Sequence, residues 1–242
     1  MKIDGKFNEK KIALAINKKL IKDIKSNISD SILKIIFPRI DSKEFFYATA
    51  IGDSKMKPDI KISYKNKVKY LSVKSGSGCS VHQESTNEFI DFLKNTTGIS
   101  RDIEDCIKFY VWGDGTYDGS GISTNRMNAN QLKCKFPEIL DKIQNFFDNN
   151  KELLINRFIK IGKDNSYVPV DYIYYGGVER GSIKDIDECI KYLVNTKKNT
   201  LSIGGLTFQA WGRAIPTRRN PKPSKRNRGI IQVKWGCPSD FI

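Results

Sequence analysis

The chain has 242 residues, 39% hydrophobic and 29% charged, a balance that describes a globular protein long enough for a real core. Lys plus Arg number 42 against 27 Asp plus Glu, and the resulting +15 favours a polyanionic partner. Five scattered cysteines (Cys79, Cys106, Cys134, Cys189, Cys237) without a C-x-x-C pair argue against a zinc ribbon or a disulfide framework. No apolar run reaches membrane-spanning length and Met1–Glu9 lacks a secretory apolar segment, so an intracellular, cytoplasmic setting with no membrane is expected.

In chain order, Ile12, Ile16, Leu20, Ile24, Ile28 and Leu33 recur at near-helical spacing. They predict one long or two shorter amphipathic helices ending before Pro38, covering a sheet or serving as a dimer element. Asp41 or Ser42 is expected to cap a short helix through Phe46, with Glu44 as a first-turn acid favoured by the helix dipole.

Residues Pro58–Lys74 read as a tight β-hairpin: two runs of alternating character flank Lys65-Asn66-Lys67. With Asn66 and Lys67 as the loop, Asp59 lies opposite Lys74 and Lys61 opposite Ser72. Period-two alternation puts Asp59, Lys61, Ser63, Tyr70, Ser72 and Lys74 on one face and Ile60, Ile62, Leu71 and Val73 on the other. One face belongs to a core; the other sets a carboxylate across from an ammonium.

This pattern resembles the active-site hairpin of the PD-(D/E)xK nuclease superfamily, to which many type II restriction endonucleases belong. Pro58-Asp59 matches the PD element, and Ser72-Val73-Lys74 stands where (D/E)-x-K is expected, with Ser72 replacing the acid. The S-x-K form of the superfamily takes its missing carboxylate from the helix after the second strand, which points to Glu84 or Glu88, four apart and on one side of a helix. The resemblance implies Asp59 as the main Mg²⁺ ligand, Glu84 (or Glu88) as the relocated acid and the Val73 carbonyl as a further ligand. Lys74 would orient or deprotonate the attacking water, or stabilise the developing charge, and Ser72 would hold a water or the relocated carboxylate. Two sites cutting two dyad-related strands imply a homodimer on a palindrome.

His82 is the sole histidine, which excludes nuclease chemistries needing several, and no G-x-S-x-G elbow accompanies it. From Val81 to about Asn95 a helix carrying Phe89, Phe92 and Leu93 is expected, with two competing caps. Ser80 with Gln83 would leave Glu84 in the first turn; Ser85 with Glu88 would occupy Glu88 in a capping box, which ranks Glu84 above Glu88. Cys106–Trp112 reads as a buried strand. It completes the order of the superfamily's αβββαβ core: an α/β fold with a mixed central sheet flanked by helices.

Gly113–Gly121 is rich in glycine and aspartate but lacks calcium-loop spacing, and is expected to be a mobile loop at the mouth of a cleft. Ser123–Gln131 is dense in side chains that hydrogen-bond bases or phosphates, Arg126 and Asn128 among them; a polar connector fits equally. Helices are expected over Phe136–Asn150, Lys151–Ile161 and Ile183–Leu193, and strands over Tyr167–Tyr175, Leu201–Trp211 and Gly229–Trp235.

Residues 212–236 contain no acid and eight basic residues, about half the net charge. Arg213, Arg218, Arg219, Lys222, Lys225, Arg226 and Arg228, punctuated by Pro216, Pro221 and Pro223, form an arm expected to order on a phosphate backbone. Arginine here outnumbers lysine, and arginine gives bidentate contacts to phosphate or guanine.

The expectation is a catalytic core over 1–112 and a C-terminal α+β DNA-recognition region over 113–242. The expected activity is Mg²⁺-dependent, site-specific cleavage of double-stranded DNA. A non-catalytic nucleic-acid-binding protein and a repair or junction-resolving nuclease of the same superfamily are the alternatives.

Overall fold

The computed structural model describes residues 5–53, 56–76, 79–163, 168–236, 238, 241 and 242. Its strands are β1 (Lys19–Leu20), β2 (Phe45–Ala50), β3 (Ile60–Tyr64), β4 (Lys67–Lys74), β5 (Cys79–Ser85), β6 (Tyr172–Gly176), β7 (Gly181–Asp185), β8 (Ser202–Ile203), β9 (Leu206–Ala210) and β10 (Ile230–Trp235). Two units interleave in sequence: Met1–Cys79, Asn156–Tyr192 and Gly236–Ile242 form the first, Ser80–Ile155 and Leu193–Trp235 the second. The division expected at residue 112 falls inside the second.

The first unit holds a mixed six-stranded sheet in the order β1-β2-β3-β4-β6-β7. All neighbours are antiparallel except β4 and β6, which run parallel with Lys74 beside Tyr175. The N-terminal periodicity resolves into a helix, Gly5–Ile16, and a second helical stretch through Ser26–Ile28, Ser29–Leu33 and Lys34–Ile36, whose middle part is π-wound. Ile12, Ile16, Ile28, Ile32 and Leu33 meet Phe46, Ile60, Ile62 and Leu71 in one core. The helix expected through Phe46 is instead β2, because Phe46 and Ala48 alternate inward with period two while Phe45 and Tyr47 face out. Glu44 precedes that strand in a turn and is exposed.

The hairpin forms two residues out of the expected register: Tyr64 pairs with Lys67 and Ile60 with Leu71, so the loop is Lys65-Asn66. Lys65 takes a φ of 51° to close it. The Tyr64 ring then stacks on Phe46 at 4.5 Å and its hydroxyl accepts from the Asp41 amide, contacts that favour this closure. A slip of two residues, unlike one, leaves every side chain on its expected face.

In the second unit the antiparallel sheet β5-β10-β9-β8 packs on helices. Phe89, Phe147 and Phe208 meet with centroids 4.9–6.5 Å apart. The run Cys106–Trp112, expected as a strand, is the end of helix Arg101–Trp112. Ser100 caps it, Gly113 ends it at φ 61°, and Ile103, Ile107, Tyr110 and Val111 recur at helical spacing once the whole segment is read. The strand completing the first unit's sheet is β6. Ile183–Asp185, expected as helix, belongs to β7, and Asp185 accepts from the amides of Asp187 and Glu188 to start the helix Ile186–Asn195.

Among the described cysteines, Cys79, Cys106 and Cys189 are buried and Cys134 is exposed; burial pushes the Cys189 thiol up to about 12. Cys237 and Tyr167, the expected start of a strand, lie outside the described residues. Among the described residues no helix is long and apolar enough to cross a membrane.

Candidate active site

Asp59 stands one residue before β3 with its backbone fixed on both sides: its amide donates to the Leu71 carbonyl at 2.7 Å and its carbonyl accepts from Ile51 at 2.8 Å. The register places its side chain beside Ser72. One carboxylate oxygen, Oδ2, accepts from the Ser72 hydroxyl at 3.0 Å, the Val73 amide at 2.6 Å and Lys74 Nζ at 3.3 Å. Lys74 Nζ also donates to Ser72 Oγ at 2.7 Å and to the Val73 carbonyl at 3.0 Å. Among the described residues nothing donates to Oδ1. The Asp59 and Lys74 side chains retain 23% and 15% of their exposure, so a charge-assisted pair lies partly screened from water yet reachable from it.

Two further strands support this group. Asp171, just before β6, accepts from Lys69 Nζ at 3.0 Å and from the Tyr70 amide at 2.8 Å, which locks β4 against β6. After Lys74, the Gly76 carbonyl accepts from the Tyr175 hydroxyl at 3.1 Å and from the Cys79 thiol at 2.9 Å. Asp171 and Tyr175 went unread in the sequence, since a parallel partner a hundred residues away leaves no local signature. Ser77 and Gly78 of the expected linker lie outside the described residues.

The expected second acid sits differently from its prediction. Glu84 is on strand β5, not on a helix, and belongs to the second unit with Glu88. Its side chain is fully buried, and His82 Nε2, two residues back on the same strand face, lies 3.0 Å from Oε1. The alternation of Cys79-Ser80-Val81-His82-Gln83-Glu84 is the signal that would have identified the strand. The helix starts late, at Thr86, with Ser85 and Glu88 in a reciprocal capping box. Glu88 therefore serves the helix terminus, and the two glutamates do not share a helix face.

The basic arm of the second unit divides in two. Arg213 donates through Nε and Nη2 to the Tyr110 carbonyl at 3.2 and 2.8 Å, its guanidinium 4.7 Å above the Tyr110 ring. Arg228 pairs with the buried carboxylate of Asp114, donates to the Gly119 carbonyl at 2.8 Å and covers the Trp112 ring. A Cβ at Gly119 or Gly229 would come within 2.3 Å of that ring, so glycine is what lets loop and arm close on Trp112. The glycine- and aspartate-rich loop is thus tied down, with Asp114 also accepting from the Thr116 amide and hydroxyl. Burial opposes the charged form of Asp114, but hydrogen bonds from Thr116 and Arg228 outweigh it and hold the carboxyl below its ordinary value.

Arg126 is buried and donates to the Ala214 carbonyl at 2.7 Å; Asn128 caps the helix Ala129–Lys135. Arg218, Arg219, Lys222, Lys225 and Arg226 are exposed. Reciprocal backbone bonds between Thr217 and Asn220, 3.0 and 3.1 Å, present Arg218 and Arg219 at the tip of a tight turn. The arm was expected to order on a phosphate backbone; Arg213 and Arg228 already anchor it to its own unit.

Restriction endonuclease MspI, solved in complex with its cognate DNA, is similar to this chain with a TM-score of 0.60 over 95% of this chain and 88% of that one. The fold is restriction-endonuclease-like. Sequence identity is only 15%, and no protein-family model and no curated protein matches the sequence. The expected α/β class with a mixed sheet flanked by helices is the one observed. Among the described residues no three His, Cys, Asp or Glu side chains gather as a ready-made metal cage. The oxygen set around Asp59 still suits a hard cation such as Mg²⁺, which keeps several waters and needs only one or two carboxylates.

Proposed function

We propose that this chain is a Mg²⁺-dependent type II restriction endonuclease that hydrolyses phosphodiester bonds in double-stranded DNA. The observation that carries the reading is the Asp59 carboxylate, with Oδ2 held by Ser72, Val73 and Lys74 and Oδ1 without a donor among the described residues. Asp59 Oδ1 and the Val73 carbonyl would hold the ion. Bound there, Mg²⁺ would supply Lewis-acid neutralisation of the phosphate and a water of lowered pKa.

The chain's own groups do the rest. Ser72 and the Val73 amide fix the Asp59 carboxylate so that it is preorganised. Lys74 Nζ, 3.3 Å from that carboxylate, brings a positive charge to the scissile phosphate and orients the attacking water or stabilises the developing charge. The exposed cations Arg218, Arg219, Lys222, Lys225 and Arg226 hold the DNA backbone and bring its bases within reach. A homodimer acting on a palindromic site completes the proposal.

A second reading, a non-catalytic nucleic-acid-binding protein, is favoured by the same exposed cations. Incubating the protein with plasmid DNA in Mg²⁺ and in EDTA separates the two. Discrete fragments in Mg²⁺ alone are expected; a smear would mark a non-specific nuclease, and intact DNA in both would leave binding only. Preference for branched over linear duplex would mark a junction-resolving enzyme.

A further inference from the structure

Within the second unit, the arm and the segment around Ile122 line an open cleft of about 510 Å³. Ile122, Pro221 and Pro223 give it apolar walls, Arg126, Lys222 and Lys225 give it charge, and among the described residues no acid lines it.

Arg126 is the unusual member. It is 8% exposed, and its one hydrogen-bond partner among the described residues is the neutral carbonyl of Ala214, through Nη1 at 2.7 Å. Among the described residues Nε is buried with no hydrogen-bond partner, and Nη2 has none either. The carboxylate of Asp114 is committed to Arg228, itself a positive charge acting on Arg126. Burial first, and Arg228 second, press against the charged form of Arg126. Asp114, shared with Arg228, offsets only part of this, and a guanidinium does not escape by losing its proton, so a further anion beside Arg126 would be favoured. Its planar fork with free donors matches a phosphate, and two lysines at the same cleft add point charges.

We propose that this cleft binds one phosphate-bearing nucleotide of the DNA, with Arg126, Lys222 and Lys225 on its phosphate and Ile122 and the prolines against its sugar or base. The volume falls in the range of small-ligand sites, well beyond what an ion alone fills. The phosphate chemistry stands on the cleft itself; only the assignment of the nucleotide to DNA rests on the nuclease reading.

The test is calorimetric titration in EDTA, at fixed ionic strength, with inorganic phosphate, thymidine 5′-monophosphate and thymidine. Saturable binding of the monophosphate, tighter than that of inorganic phosphate, with none of thymidine, is expected. Arg126→Gln and the double variant Lys222→Ala/Lys225→Ala should each weaken it by about tenfold or more, the scale of one lost charge-assisted hydrogen bond. The double variant, at exposed positions, decides the matter should Arg126→Gln fail to fold. Monophosphate binding unchanged in the variants, or absent in the wild type, overturns the site, and a monophosphate no tighter than inorganic phosphate overturns the nucleotide. A duplex oligonucleotide should displace the monophosphate; simultaneous binding of both overturns the assignment to DNA. Because the titration reads no cleavage, absence of monophosphate binding to a wild-type protein that still cuts in Mg²⁺ sinks this proposal alone, and monophosphate binding without cutting sinks the nuclease reading alone.

Discussion

The hairpin around Asp59 and the arm around Arg218 are both rich in charge, yet they dispose of it in opposite ways. In the hairpin, opposite charges converge: Lys74 Nζ reaches the Asp59 carboxylate, the Ser72 hydroxyl and the Val73 carbonyl within 2.7–3.3 Å. In the arm like charges are separated into two classes. Arg213 and Arg228 are bound to a carbonyl and a buried carboxylate and serve as anchors, while Arg218, Arg219, Lys222, Lys225 and Arg226 project outward with no acid paired to them among the described residues. A charge satisfied inside its own unit positions the backbone, and a charge left in water is available to a partner. A convergent, half-screened pair is the arrangement that supports chemistry at a point.

The comparison breaks most sharply on Lys74. Replacing it by Ala should lower single-turnover, Mg²⁺-dependent cleavage by about 10²- to 10³-fold or more while DNA binding in EDTA stays near wild type, since one preorganised charge is lost where it acts on the transition state. Loss of binding in parallel would make the hairpin a binding element like the arm.

On the arm, the anchoring class should affect stability. Asp114→Ala leaves the Arg228 guanidinium buried without its carboxylate and should destabilise the protein by about 3–5 kcal/mol in urea unfolding. An effect below about 1 kcal/mol, the scale of an exposed pair, would contradict its role as an anchor. The sign of its pH dependence follows from its depressed carboxyl: the stabilisation is complete above the ordinary carboxylate value and is lost as pH falls through the lower folded one. Unfolding of the wild type below pH 4 should therefore be steeper than that of Asp114→Asn, because only the wild type takes up this proton.

The exposed class should behave differently again. Arg218→Ala, Arg219→Ala and Arg226→Ala should each leave stability within about 0.5 kcal/mol and reduce the slope of log binding constant against log salt by about 1. A larger effect confined to one DNA sequence would identify a base-reading arginine instead. The smallest expected effect is at the capping box, where Ser85→Ala should cost about 1 kcal/mol of stability and leave cleavage unchanged.

How much of this was legible in the sequence follows from the range of the interactions. The hairpin could be read because alternation is local, and its faces survived a two-residue change of register for the same reason. That Tyr64 rather than Lys65 closes the loop depended on Phe46, a contact no local pattern reveals. Cys106–Trp112 misled because a short apolar run carries no period; the capping serine at Ser100 and the terminating Gly113 had to be read together with it. The placement of Glu84 turned on the choice between two caps, and the reciprocal Ser85–Glu88 box prevailed because it satisfies two backbone donors at once. Charge density marked the arm as a segment, but composition could not separate anchors from exposed cations. That division depends on Asp114, Tyr110 and Trp112, brought to the arm by the fold.

The most direct test of the account is Asp59→Ala, measured by plasmid cleavage in Mg²⁺ and by gel shift in EDTA on the same preparation. The account predicts that DNA binding persists while metal-dependent cutting disappears. Cleavage at or near the wild-type rate would contradict it and place the chemistry elsewhere in the protein.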